Sequence, residues 1–231
     1  MNEKNDGPFK NYYENGQIKE EGTFKNGKRE GLYRKYYENG KLSYETNFKN
    51  GDYHGLDVRY FKNGKLAQEC YNKNGLGHGI YKYYYSNGKL KEEFELKNGR
   101  YFGGFYKKYH SNGQLFIDSN KTMIKYKWPW MENAQEEEKF DGFYKRYYEN
   151  GKLEEEGNYR EGKKEGLWKN YNEEGNLRWE YNYNKNKLHG LNKNYYENGV
   201  LKEEGNHKNG DKEGLWKYYD VNGELKESIE H

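Results

Sequence analysis

The chain has 231 residues, with 41 Lys and Arg set against 38 Asp and Glu for a net charge of +3. Leu, Ile, Val and Phe make up only about 15% of it, which excludes an ordinary leucine-packed globule, while 28 Tyr, 5 Trp and just 2 Pro argue against disorder. So even a balance of charge excludes a global attraction to nucleic acid or to an anionic membrane.

The opening residues, MNEKNDGPFK, carry no apolar run, so no signal peptide is expected, and no later stretch is long enough to span a bilayer. The single cysteine, Cys70, leaves no internal disulfide framework and fits a reducing compartment. A cytoplasmic protein is the expectation.

Regular structure is predicted from Gly7 onward, the first mark of a ruler. Gly31, Gly55 and Gly79 follow at intervals of 24, Gly104 after 25, Gly142 after 38, and Gly166, Gly190 and Gly214 at 24 again. A second glycine stands nine residues after each, from Gly16 to Gly223. The second unit, EGLYRKYYENGKL (30–42), shows the pattern. An aliphatic residue or Phe follows the opening glycine in every unit but the first, which has Pro8. A tyrosine always stands five residues after it, and Leu or Ile always two residues after the second glycine. Asn-Gly or Glu-Gly between two such runs is a hairpin signal. Each unit therefore reads as strand, tight turn, strand and return turn.

The turn sets the register. A two-residue turn would pair the fixed tyrosine with the residue after the leucine. A three-residue turn such as Glu38-Asn39-Gly40, with the glycine left-handed, sets Tyr36 opposite Leu42. A one-residue slip exchanges the two faces, so the second register is preferred because it gathers Leu32, Tyr36 and Leu42 on one face. That face is expected to be the core, with Tyr33, Tyr37 and Glu45 on a largely solvated face. Three residues after the opening glycine the residue is basic in all units but the third, which has Val58, and an acid recurs on every returning strand but the last, which has Ser228. A ladder of cross-strand ion pairs is the expectation, with a free basic stripe as the alternative.

Single hairpins are unstable, whereas stacked ones cover each other's apolar face. The predicted fold is all-β: an elongated single-layer solenoid of about nine 24-residue hairpin repeats. Five repeats occupy residues 1–115 and four residues 141–231, with an insertion at 116–140 inside one continuous solenoid. In that insertion, Trp128 and Trp130 flank Pro129, and MENAQEEEK (131–139) suits a short helical turn. The tryptophans either fold back over the sheet or form a partner contact.

No constellation for chemistry emerges. His54, His78 and His189 share one repeat position, which would separate neighbours by about 10 Å, too far to ligate one zinc. Cys70 has no histidine fixed beside it. GLGHG (75–79) joins two strands instead of opening a helix, so it is no phosphate loop. Neither an enzyme nor a cofactor or metal is expected.

With its return turn NGDKEGLW (209–216), the segment EGLWKYYDVNGELKE (213–227) resembles MORN repeats, and more closely the bacterial variant found in YwqK-type antitoxin-like repeat proteins. The resemblance implies a non-catalytic hairpin array, and for some bacterial members an antitoxin or immunity protein that neutralises a toxin by binding it. A protein partner is thus expected, and no nucleic acid. Membrane attachment, a structural scaffold and end-to-end self-association are the alternatives. The expected contacts are a second, exposed aromatic row, namely Tyr13, Tyr37, Phe61, Tyr85, Tyr148 and Tyr196, together with Trp128 and Trp130.

Overall fold

The computed structural model describes residues 6–122 and 139–231, and all the regular structure among them is β-strand. The described residues form two compact units, one of residues 6–102 with 111–113 and one of 103–110, 114–122 and 139–231. The helical turn expected at 131–139 and both Trp128 and Trp130 lie essentially outside the described residues.

The first unit holds four hairpins: Gly7–Tyr12 with Ile18–Lys25, Gly31–Tyr36 with Leu42–Lys49, Asp52–Tyr60 with Leu66–Lys73, and Gly79–Tyr84 with Leu90–Lys97. Five more follow, the first of them beginning at the end of that unit: Arg100–Tyr109 with Leu115–Thr122, Lys139–Tyr147 with Leu153–Arg160, Lys163–Tyr171 with Leu177–Asn184, Gly190–Tyr195 with Leu201–Lys208, and Asp211–Tyr219 with Leu225–Glu230. We number these hairpins one to nine. Within each unit, successive strands pair antiparallel in a single layer, giving a β-hairpin repeat solenoid.

The three-residue turn is the one adopted. Tyr37 N donates to Lys41 O at 2.8 Å and Gly40 N to Tyr37 O at 2.9 Å, with Gly40 at φ 76°. Tyr36 then pairs with Leu42, and the register shifts by one residue just before it. The return turns are of the opposite kind. Asn50 and Gly51 are both left-handed, at φ 53° and 90°, as a two-residue turn matching strand twist requires. Gly51 N donates to Arg29 O at 2.9 Å, on the short strand Lys28–Arg29 that leads into the second hairpin.

The register is as expected but the core lies on the other face. Tyr33 is 3% exposed and Leu32 is 41% exposed. Thr46 and Phe48 share Tyr33's face and are buried, while Glu45 pairs with Arg34 on the face of Leu32. The buried column stands two residues after each opening glycine: Tyr33, Tyr81, Tyr106, Tyr144, Trp168 and Trp216 are all in it. A second column, on the returning strands, makes room for it. In the second unit Gly157 and Gly205 hold these places, and a Cβ on either would enter the indole of Trp168 or Trp216, one hairpin on. Where the ring column has the smaller Asn192, the strand before it supplies the larger Tyr181. The core is thus packed by size exchange between neighbouring hairpins.

One sheet layer has no second sheet to cover these rings, so they cover each other. Trp168 has Tyr144, Tyr159 and Tyr183 around it at centroid distances of 5.8, 4.9 and 6.4 Å. Lys164 lays its ammonium 3.9 Å above the indole, and Nε1 donates to Asn158 O at 3.1 Å. Trp216 repeats both contacts, with Lys212 at 3.9 Å and Asn206 O at 3.1 Å. An ammonium over a ring face is a cation–π contact, and Lys164 also pairs with the buried Glu155 at 2.7 Å.

Candidate interaction surface

The face opposite the rings carries three parallel rows, each fixed by the 24-residue register. The outermost is aliphatic and exposed. Leu32, Leu56 and Ile80 form it in the first unit, and Phe143, Leu167, Leu191 and Leu215 in the second, with Leu56 at 52% exposure. Two strand spacings, about 10 Å, separate neighbours. The cross-strand partners are mostly polar: Asn47 faces Leu32, Asn158 faces Phe143 and Asn182 faces Leu167. Leu56 is the exception, since it pairs with the exposed Tyr71.

The middle row is the ion-pair ladder. Within their own hairpins, Lys10 meets Glu21 at 3.0 Å, Arg34 meets Glu45 at 2.6 Å, Lys145 meets Glu156 at 3.5 Å, Lys169 meets Glu180 at 2.9 Å and Lys193 meets Glu204 at 3.5 Å. Lys82 instead reaches Glu69 of the preceding hairpin, at 3.2 Å. Half-exposed pairs of this kind contribute roughly 0–1 kcal/mol each. Their larger consequence is that the basic row in these hairpins is neutralised by the protein's own carboxylates.

The innermost row is the fixed tyrosine. Its hydroxyl donates to the ladder acid of the hairpin before it: Tyr36 to Glu21 at 2.7 Å, Tyr84 to Glu69 at 2.7 Å, Tyr171 to Glu156 at 3.0 Å, Tyr195 to Glu180 at 2.8 Å and Tyr219 to Glu204 at 2.9 Å. The carboxylates respond. The Tyr36 hydroxyl and then Lys10 hold Glu21 below the usual carboxylate range. Burial pushes Glu180 up, yet Lys169 and Tyr195 together bring it below that range. On the other side of the bond, burial and then Glu156 push the Tyr171 phenol up to about 12.

The second aromatic row is half-buried and not exposed as expected. Its hydroxyls are committed to the backbone of the next hairpin: Tyr13 donates to Tyr36 O at 2.7 Å, Tyr37 to Tyr60 O at 2.6 Å, Tyr148 to Tyr171 O at 2.8 Å and Tyr196 to Tyr219 O at 2.8 Å. Phe61 stands in the same row without a hydroxyl, and Tyr85 is half-buried there too. The three-residue turn swings this residue over the neighbouring strand, and the sequence alone does not display that. Asparagines continue the stapling at the turns, as Asn15 Nδ2 donates to Glu38 O and Asn150 Nδ2 to Glu173 O, both at 3.0 Å. Tyr37→Phe should lower the stability of the first unit by about 0.5–1.5 kcal/mol, the net value of one hydrogen bond. Urea unfolding followed by circular dichroism measures it, and Phe61 shows that the bare ring is accepted at this position.

Sequence reasoning missed the exposed aliphatic row as a contact surface because its constancy looked like a core signature. The polar residues that recur across from it, at 47, 158, 182 and 206, were the available signal. Cys70 is buried, and burial followed by Asp57 pushes its thiol up to about 11, unlike the depressed value of a reactive nucleophile.

Among known proteins, the family profile described as MORN repeat variant matches residues 5–26, 29–50, 77–98, 140–161, 188–209 and 212–231. A search of curated proteins returned no match. The third and seventh hairpins, between matched stretches, keep the same register: Tyr60 pairs with Leu66 and Tyr171 with Leu177.

Proposed function

Because the chain belongs to the MORN repeat variant family, we propose that it is a non-catalytic protein-binding module that occludes a partner toxin, as an antitoxin or immunity protein. Repeats of this family commonly engage proteins or membranes, and the family is generally non-catalytic. The observation that carries the protein reading is the exposed aliphatic row beside a ladder whose cations are paired in six hairpins. Apolar side chains held at fixed spacing on a stiff sheet suit a protein surface, where contact area and complementarity supply affinity. An anionic membrane would need free cations, and a lysine bound to its own glutamate attracts phosphates weakly. The toxin as partner rests on the resemblance of the repeats to antitoxin-like proteins, and a cytoplasmic setting on the lone reduced thiol. Tyr13, Tyr37, Phe61, Tyr85, Tyr148 and Tyr196 enter this proposal through their ring faces, with Trp128 and Trp130 as further contacts on sequence grounds.

The test compares the wild-type chain with a Leu167→Asp/Leu191→Asp variant as bait in the source lysate, at low and moderate salt. Both positions are exposed, so the variant should fold normally. One stoichiometric protein held by the wild type at moderate salt and lost by the variant supports the reading, and toxicity of that protein expressed alone supports the antitoxin role. Equal capture by both baits overturns the aliphatic row as the contact. Recovery of anionic lipid alone, lost as salt rises, favours the membrane.

A further inference from the structure

The third hairpin breaks the column of buried rings. Where its neighbours place Tyr33 and Tyr81, it places Asp57, which is 4% exposed. Thr46 of the second hairpin lies across from it on one side and Cys70 of its own returning strand on the other. Tyr44 donates its hydroxyl to Oδ2 of Asp57. Oδ1 makes no well-formed hydrogen bond among the described residues; the Thr46 hydroxyl beside it makes none of good geometry either and offers the carboxylate only weak support. The nearest cation, Arg59 on the same strand, holds Nε 4.0 Å from Oδ1 and is itself half-exposed. The other titratable groups facing Asp57 are Tyr44 from the second hairpin, Cys70 from the third and Tyr81 from the fourth, none of them cationic.

A buried carboxylate with one oxygen unsatisfied is costly when charged and much less so when protonated. Burial accordingly pushes the Asp57 carboxyl up, and the Tyr44 hydroxyl, Arg59 and the Thr46 hydroxyl offset this only in part. We propose that Asp57 makes the second to fourth hairpins an acid-favoured switch, closed while this carboxyl keeps its proton and locally loosened once it ionises. The folded chain holds the proton to higher pH than the unfolded chain does. The stabilisation is therefore complete below the ordinary carboxylate value and is lost as pH rises through the raised one. Glu20 and Glu21 of the first hairpin, held below the usual range, act with the opposite sign and lose their contribution as pH falls.

Amide hydrogen exchange of the intact chain tests this, with observed rates corrected for the intrinsic effect of pH. Protection in 42–49, 52–60 and 66–73 should drop several-fold between about pH 4 and pH 7, as the folded chain loses its higher affinity for the proton. Asp57→Asn should remove that drop and leave these strands better protected at neutral pH. Asn192 already occupies the equivalent place in the eighth hairpin, so an amide fits the slot. Protection that is flat with pH in the wild type, or identical at neutral pH in wild type and Asp57→Asn, overturns the switch. A carbon NMR titration of the Asp57 carboxyl in the wild type decides the matter without any variant: an ordinary carboxylate midpoint also overturns it.

Discussion

Trp168→Ala should destabilise the second unit by about 3–5 kcal/mol, the range for truncating a fully buried aromatic. The indole is 0% exposed, so the whole side chain would leave a cavity. Three tyrosine rings and the Lys164 ammonium would lose the surface they close upon. A one-layer sheet has no second layer to settle inward and refill the gap. Gly157→Ala attacks the same contact from the other side and should cost about 1–3 kcal/mol by overpacking. In the double variant the new methyl occupies part of the vacated space, so the two losses should fall short of their sum. Urea unfolding followed by circular dichroism gives all three values. Full additivity would mean that Gly157 and Trp168 do not share one packing space.

The second large effect concerns alkaline pH. Burial and the bonds to ladder acids push the phenols of Tyr36, Tyr171, Tyr195 and Tyr219 above the ordinary tyrosine value. For each, the folded chain keeps a proton that the unfolded chain has given up. The contribution is complete below about pH 10 and is lost as pH rises through the folded value. Several phenols act together, so stability should hold level to about pH 9 and then fall steeply, with phenolate absorbance and loss of strand signal appearing in one transition. A Tyr171→Phe/Tyr195→Phe variant should lose about 1 kcal/mol per residue at neutral pH and show a shallower alkaline fall. Phenolates that form at the ordinary value while the strands stay intact would contradict this account.

Much of this fold was legible because a hairpin's register is a local property. Glu38-Asn39-Gly40 fixes the turn, the turn fixes Tyr36 against Leu42, and counting back sets Arg34 against Glu45. The face of the core was not legible, for a physical reason. Core residues exchange size with the neighbouring hairpin, so Gly157 goes with Trp168, and Tyr181 with Asn192. The buried columns therefore vary from repeat to repeat, while the exposed leucines stay constant. Constancy was taken for burial, and here the two are opposed. The interaction surface was half legible. The second aromatic row could be found, but the carbonyls that take up its hydroxyls lie one hairpin further on, beyond what any single repeat displays.

Each tyrosine staple also has a direction in time. The hydroxyl of Tyr37 finds its acceptor on Tyr60, 23 residues later in the chain, and that of Tyr148 waits as long for Tyr171. At a synthesis rate of about 5–20 residues per second, a hairpin emerging from the ribosome stays unlatched for only a few seconds. Its open edge is sealed by the next segment to appear, and no segment has to wait for a distant part of the chain. Growth of either unit is a zipper that follows translation, with one unlatched hairpin at its moving end.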